Sequence, residues 1–236
     1  MKTAIVLVGG RGTRLRPITD EIPKPLIRVC SRPLLYWVLK WLTFNNIKKV
    51  VLGVAYKKEK IKKYISEINF PEMNIEISEH LVSDGTSTAV KKALGNCTIP
   101  DSDFLVINGD TLTNIPINEL YSFHLRNKKI ITMVVVPLQC DFGIVDVKNG
   151  EVLTFREKPV LSSILINAGI YVFSQKITQF LYEGNLEEKV FPKLATKRLI
   201  AAYIWRGFWR TINTVKDLEK IEAEFKNKDI EETLKR

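Results

Sequence analysis

Thr3-Ala4-Ile5-Val6-Leu7-Val8-Gly9-Gly10-Arg11-Gly12-Thr13-Arg14-Leu15-Arg16-Pro17 decides how this chain folds. Thr3–Val8 is a short, β-branched, apolar run that passes directly into a glycine loop. Near-continuous apolar strands of this kind belong to parallel sheets covered on both faces. In the loop, glycines let successive backbone N–H groups turn toward an anion. Arg11, Arg14 and Arg16 add forked donors suited to phosphate oxygens. The loop is no Walker A, because no Gly-Lys-Ser/Thr ends it. It is no dinucleotide fingerprint either, because Leu15 stands where the third glycine would be.

Outward from this loop, strand-like and helix-like segments alternate. The pattern predicts a helix over Pro33–Asn45, a strand over Lys49–Val54, a helix over Glu59–Ile68 and a strand over Asn74–Glu79. A helix at Thr86–Leu94, a strand at Asp103–Ile107, a helix at Asn118–Arg126 and a strand at Ile130–Val136 follow. After Pro137 the segments shorten into strands at Gly143–Val147, Val152–Phe155 and Ile164–Phe173. Helices near Lys176–Tyr182 and Leu186–Leu194, a strand at Leu199–Trp205 and an amphipathic C-terminal helix complete the reading. The expected fold is α/β: a doubly wound, mixed but mainly parallel sheet with helices on both faces and a strand-rich excursion. No linker divides the 236 residues and no hexapeptide array marks a β-helix, so a single domain is expected.

Composition narrows the partners. With 45% hydrophobic and 26% charged residues, the chain is neither disordered nor collagen-like. The longest apolar stretch, Ile130–Leu138, is interrupted by Thr132 and Pro137 and is too short to span a bilayer. The first residues lack the apolar core of a signal peptide, and a cytoplasmic protein is expected. Cys30, Cys97 and Cys140 show no metal-binding spacing and are expected as reduced, mostly buried thiols. A net charge of +10 favours anionic partners, either phosphorylated metabolites or nucleic acid. The run Lys57–Lys63 reads as the wet face of a helix. Apart from the charge, only the Trp205–Trp209 pair favours nucleic acid, and no basic helix, zinc finger or RNP-like stretch supports it.

Two further segments carry chemistry. In Pro23-Lys24-Pro25 the prolines hold Lys24 in an extended segment, which suits a second phosphate ligand or a plain surface turn. In Asn108-Gly109-Asp110 a carboxylate follows a buried strand, where open α/β sheets bind ligands. Asp110 there is either a metal ligand or a helix cap.

Leu7–Thr19 together with Pro23-Lys24-Pro25-Leu26 resembles the signature of the sugar-1-phosphate nucleotidyltransferases, or NDP-sugar pyrophosphorylases. The similarity recurs along nearly the whole chain and is nearest to the mannose-1-phosphate and heptose-1-phosphate guanylyltransferase branches. It implies a Rossmann-like core, mainly nucleotide-binding over residues 1–137 and mainly sugar-phosphate-binding over 138–213, with a C-terminal helix over 214–236. The implied reaction joins an NTP to a sugar 1-phosphate, these branches suggesting GTP with mannose or heptose 1-phosphate, with Mg²⁺ as cofactor and pyrophosphate as second product. The resemblance places Leu7, Gly9, Gly10, Gly12, Thr13, Arg14, Lys24, His80, Gly85, Asn108 and Asp110 around the triphosphate and base. It places Gly143, Glu157, Lys158 and Asn167 on the sugar phosphate, and implies catalytic roles for Arg14, Lys24, Asp110 and Lys158. His80 and the residues around Gly85 depart from the family pattern, and His80 alone reads equally as a strand-end polar residue.

Thr211 and Asn213 depart further. Relatives carry Asp and Gly at these positions, and that Asp is their second metal carboxylate. Asp110 would then hold Mg²⁺ with, in part, Thr211 or Asn213, whose side chains share a face if the segment is extended. The resemblance therefore implies reduced activity and a raised Mg²⁺ requirement. It also admits a weakened regulatory or nucleotide-sugar-binding subunit, working as a homo-oligomer or beside a paralogous subunit.

Overall fold

The computed structural model describes residues 1–235. In chain order the strands are β1 (Thr3–Leu7), β2 (Arg28–Val29), β3 (Arg32–Pro33), β4 (Lys49–Val54), β5 (Asn74–Glu79), β6 (Asp103–Asn108) and β7 (Thr111–Thr113). Then come β8 (Ile131–Gln139), β9 (Ile144–Lys148), β10 (Glu151–Arg156), β11 (Val160–Ser174), β12 (Ile200–Ile204) and β13 (Trp209–Thr211). The helices are α1 (Ile18–Glu21), α2 (Leu34–Phe44), α3 (Lys58–Glu67), α4 (Gly85–Asn96), α5 (Ile117–Asn127), α6 (Phe191–Thr196), α7 (Val215–Glu224) and α8 (Ile230–Lys235).

Seven strands form one sheet in the order β12-β8-β11-β6-β1-β4-β5. β1 pairs in parallel with β4 and β6, β4 with β5, and β8 with β12, while β11 runs antiparallel to both β6 and β8. This is the mixed, mainly parallel sheet expected from the sequence. Side chains alternate across it, and β1 shows how both faces are covered. Ala4 and Val6 join a core with α2, α3, α5, α7 and α8. Ile5 points to the opposite core, which includes Val90 and Ala93 of α4 and Leu194 of α6. Strand order reverses beside β1, because β4 and β5 lie on one side of it and β6 on the other. Ligands of open α/β sheets bind at the carboxyl ends of strands flanking such a reversal.

Several local expectations need correction. The segment near Lys176–Tyr182 is a 3₁₀ helix over Gln175–Phe180. The helix expected over Leu186–Leu194 starts as a π turn, Leu186–Val190, and becomes α-helical only in α6. Pro192 lies in the first turn of α6, and its missing N–H interrupts the α-helical ladder reaching back to Glu188. The C-terminal stretch is two helices rather than one. Between α7 and α8, Asp229 accepts the Glu231 N–H at 2.7 Å and starts a new helix. The three cysteines are half-buried rather than mostly buried, and burial raises the thiol pKa of Cys30 and Cys97. Of the lysine run, Lys58 and Lys62 both pair with Glu79 on β5. No helix among the described residues is long and apolar enough to cross a membrane.

Candidate active site

β1 ends where its neighbours hold it. The Val8 N–H donates to the Gly53 carbonyl on β4, and the Gly109 N–H beyond β6 donates to the Leu7 carbonyl, each at 2.9 Å. The chain then turns through Gly9–Gly12 into a 3₁₀ turn at Thr13–Leu15. Gly12 sits in the left-handed region at φ 64°, and its carbonyl accepts the Thr19 hydroxyl at 3.0 Å. The backbone N–H groups of Gly10, Arg11, Gly12 and Thr13 donate to no acceptor among the described residues. They are therefore free to meet an anion.

The loop forms one wall of a cleft of about 390 Å³. Leu7, Gly9, Gly10, Gly12, Thr13, Arg14, Lys24, His80, Gly85, Asn108 and Asp110 all line it. The nucleotide set expected from the sequence thus converges on one cavity. Arg11 and Arg16 lie outside the lining: Arg16 pairs with Asp20 at 3.1 Å, and Arg11 sits 6.0 Å from the centre of the Tyr56 ring.

At one end of the cleft four polar side chains interlock. Lys24 Nζ donates to Asp110 Oδ2 at 2.5 Å and to Asn213 Oδ1 at 3.0 Å, and Arg14 Nη2 donates to the same amide oxygen at 3.0 Å. Asn213 Nδ2 donates in turn to Thr211 Oγ1 at 3.2 Å, so the two side chains do share a face. The amide oxygen, expected as a partial metal ligand, instead faces two cations. Tertiary structure creates this group. β13 pairs antiparallel with β7, setting Thr211 opposite Thr111, and the Ile212 N–H donates to the Asp110 carbonyl at 3.2 Å. A capping box of Thr214 and Asp217 starts α7, and Asp217 also accepts the Asn213 N–H at 3.0 Å.

Asp110 is the single carboxylate of this cluster, and the described residues contain no group of three or more His, Cys, Asp or Glu able to hold a metal. Magnesium, however, is commonly held by one or two carboxylates plus substrate phosphates and water. The donor set fits a magnesium ion that enters on a triphosphate, not one caged by the protein alone.

His80 also lines the cleft. The His80 ring lies against Gly9, with its Nε2 atom 2.5 Å from where a Cβ would sit, so a larger residue there would have to push the ring aside. His80 Nδ1 lies 2.9 Å from the Leu81 carbonyl, which can only accept. In the neutral ring Nδ1 therefore carries the proton, and Nε2 is left as an acceptor. Thr86 and Ala89, from the Asp84–Ala89 turn that the resemblance sets against the nucleobase, also line the cleft, as do Val82 and Asn185, to which sequence reasoning gave no role. Asn185 lies far along the chain, and its Oδ1 accepts the Thr86 N–H at 3.3 Å while the Gly184 carbonyl accepts the Ser87 N–H at 2.9 Å. The start of α4 is thus satisfied by protein groups.

Gly143, Glu157, Lys158 and Asn167 do not line this cleft. Glu157 and Lys158 are exposed and pair with each other at 2.8 Å, which raises the lysine pKa. Asn167 donates to the Tyr171 hydroxyl at 2.7 Å and accepts the Gly169 N–H at 3.0 Å, so it shapes the bulge in β11. Gly169 connects the two groups: a Cβ there would come within 2.6 Å of Asn108 Nδ2. Trp205 and Trp209 donate to the Phe208 and Ala168 carbonyls and pack on the core, so neither ring is offered for stacking.

Comparison with known proteins agrees with this geometry. Residues 3–228 match the family described as Nucleotidyl transferase. The chain is 32% identical over 223 residues to a Xenopus tropicalis protein named mannose-1-phosphate guanylyltransferase catalytic subunit beta, covering 91% of this chain and 62% of that one. It thus spans about three fifths of the length of that relative. It is 30% identical over 239 residues to the Bacillus subtilis "Probable glucose-1-phosphate cytidylyltransferase", covering 92% of this chain and 94% of that one. The crystal structure of HddC from Yersinia pseudotuberculosis with GMP-PN superposes with a TM-score of 0.76 at 25% identity, over 95% of this chain and 100% of that one. On the extent of the family match, this chain belongs to the nucleotidyl transferase family.

Proposed function

We propose that this chain transfers a nucleotidyl group from an NTP to a sugar 1-phosphate, releasing pyrophosphate. The observation that carries the reading is the convergence of four free loop N–H groups with Arg14, Lys24 and Asp110 in one cleft. A phosphate monoester has its second pKa near 6, so the attacking oxygen is already ionised at neutral pH and needs no general base. That oxygen bonds to the α-phosphorus as the bond to the β-phosphate bridging oxygen breaks, and pyrophosphate leaves with the electron pair. The protein's task is to position two polyanions and stabilise charge on the transferred group. Loop amides and Arg14 hold the triphosphate, and Lys24 leaves Asp110 to meet the α-phosphate as it arrives. Asp110 would hold Mg²⁺, which neutralises phosphate charge when bound. Gly143, Glu157, Lys158 and Asn167 receive the sugar phosphate.

We take GTP as the nucleotide and mannose or heptose 1-phosphate as its partner. The relative named for mannose-1-phosphate guanylyl transfer and the GMP-PN complex of HddC support this choice. A cytoplasmic place in sugar-nucleotide synthesis accords with these substrates. A second reading, a weakened regulatory or nucleotide-sugar-binding subunit, draws on the single carboxylate at Asp110. A panel crossing each NTP with mannose, glucose and heptose 1-phosphates, read by pyrophosphate release, tests both. Release with GTP is expected. Triphosphate binding without release from any pair would favour the subunit reading, and neither binding nor release would overturn both.

A further inference from the structure

We infer, on the proposed triphosphate reading of this cleft, that it takes up its triphosphate without a metal and that Asn213 is the positioning residue that allows it. Asn213 lies between β13 and α7, where the backbone is tied on both sides. The N–H of buried Ile212 before it donates to the Asp110 carbonyl at 3.2 Å. Its own N–H and that of Thr214 both donate to Asp217, at 3.0 and 2.9 Å, inside the cap of α7. Its Nδ2 donates to Thr211 Oγ1 at 3.2 Å, so the amide is held at both ends and Oδ1 faces the cleft.

An amide oxygen has two lone pairs. Arg14 Nη2 and Lys24 Nζ use both, each donating at 3.0 Å. Two cations drawn to one place repel each other, and the amide dipole holds them there without neutralising either. Lys24 needs such a partner, because only 13% of its side chain is exposed and a buried ammonium is costly unless paired. Its other partner is Asp110 at 2.5 Å. When a phosphate oxygen replaces Asp110 at Lys24, the bond to Asn213 remains and keeps the ammonium in the cleft. The Arg14 side chain makes no other hydrogen bond among the described residues, which leaves its remaining N–H donors for phosphate oxygens.

Charge favours the same order. Arg14, Lys24 and Asp110 are the charged residues among those lining the cleft, so two cations stand against one carboxylate. Neutral Thr211 and Asn213 leave that excess intact, whereas a carboxylate at either position would cancel it. The free N–H groups of the glycine loop add to the pull on an anion, and the net charge of +10 draws polyanions to the molecule. A bare cation meets the reverse situation. Asp110 Oδ2 is engaged by Lys24 and Asn213 Oδ1 by two cations, so Asp110 opens to a metal only once a triphosphate has drawn Lys24 away.

Titration calorimetry without sugar 1-phosphate, so that nothing turns over, tests this with GTP and with inorganic tripolyphosphate, each in EDTA and in excess Mg²⁺. Tripolyphosphate removes the choice of base from the outcome. Wild type is expected to bind both, with affinities that differ less than about 10-fold between the two conditions. Asn213→Ala removes the oxygen that holds the two cations and is expected to weaken binding about 10-fold in either condition. Asn213→Asp keeps an acceptor for both cations but cancels the charge excess. It is expected to lose about 100-fold in EDTA and to recover most of that in Mg²⁺. A merely structural residue would not make affinity depend on the metal in this way. Wild-type affinity that rises more than about 10-fold on adding Mg²⁺, or either variant binding like wild type in EDTA, would overturn the inference. Wild type that binds neither ligand in either condition would overturn the triphosphate site itself, and the inference with it.

Discussion

The cleft beside β1 and the arm carrying Glu157 and Lys158 are both built from strands and turns, yet they hold their polar groups differently. At the cleft, Lys24, Asp110, Asn213 and Arg14 fix one another on a scaffold whose strand residues Val6 and Ile107 are fully buried. On the arm, Glu157 and Lys158 are exposed and hold only each other. Polar groups are placed by packing beneath them, and the sheet supplies that packing where the arm does not. The four polar side chains of the cleft are therefore held in place by the protein itself.

Removing a group from the assembled side should have the largest effect. Lys24→Ala is expected to lower turnover about 10²- to 10³-fold, the usual cost of one preorganised transition-state contact. It also leaves Asp110 without its cation, and a folded variant with normal turnover and triphosphate affinity would break the contrast. Arg14→Ala is expected to weaken triphosphate binding about 10-fold in calorimetry, since Lys24 and the loop amides remain.

Asn167→Ala sharpens the comparison because Asn167, expected at the sugar phosphate, lies on β11 of the central sheet and outside the cleft. Weaker use of sugar 1-phosphate, about 10-fold in KM, is expected, with GTP affinity nearly intact. The structure adds a stability cost of about 1–3 kcal/mol, because the Gly169 N–H and buried Tyr171 hydroxyl lose their partner. Loss of nucleotide binding with normal sugar-phosphate affinity would reverse the division of labour.

Thr211 tests the charge count at the cleft. Wild type is expected to need more Mg²⁺ than an enzyme with two carboxylates, and Thr211→Asp should lower the half-saturating concentration several-fold. Combining it with Asn213→Gly is expected to raise turnover, but by less than the second carboxylate alone would suggest. The amide oxygen that holds Arg14 and Lys24 is then gone. A folded double variant that gains nothing would favour the subunit reading, and a wild type saturated at low Mg²⁺ would show that Thr211 is no handicap.

The smallest effect is expected at the opposite end of β6. His124 is buried there, 3.5 Å from Asp103 and 2.8 Å from the Thr132 hydroxyl. Burial lowers its pKa despite the opposing pull of Asp103. The unfolded chain therefore takes up this proton first, so stability is full above about pH 6.5 and falls as pH drops below it. The slope is at most about 1.4 kcal/mol per pH unit. Melting of wild type and His124→Gln between neutral and mildly acid pH checks this, and equal acid sensitivity in both would remove His124 as the cause.

Much of the sheet was legible because buried parallel strands have a distinct composition. Lys49–Val54 and Asn74–Glu79 fall where periodicity places them, and β6 extends its expected range by one residue. The helix after Leu186 was less legible. Apolar spacing reports which side chains are buried, not whether the backbone can complete its hydrogen bonds around Pro192. The glycine loop was legible for a related reason, since its chemistry is local and set by missing Cβ atoms. Lys24 was misjudged: it opens a 3₁₀ turn over Lys24–Leu26 and not the extended segment expected, because Pro25 has a φ that fits a helical turn as well as an extended one. Asn185 carried no signal, because it reaches Thr86 across 99 positions of sequence.

The sequence by itself determined the βα alternation, the anion-seeking loop, and the residue types available for phosphate chemistry. Each depends on side-chain volume, backbone freedom or charge within a few neighbouring residues. Only the tertiary structure decided that Asp110 meets Lys24, that the Asn213 amide turns toward two cations, and that Phe155 faces outward. The first follows from pairing β1 with β6, and the second from pairing β13 with β7, segments almost 100 residues apart. The last follows from the register shift in β10, which leaves Leu153 unpaired and sets Phe155 opposite Val145. Register and long-range pairing are settled by the energy of the whole packed chain, and no short stretch of sequence contains that sum.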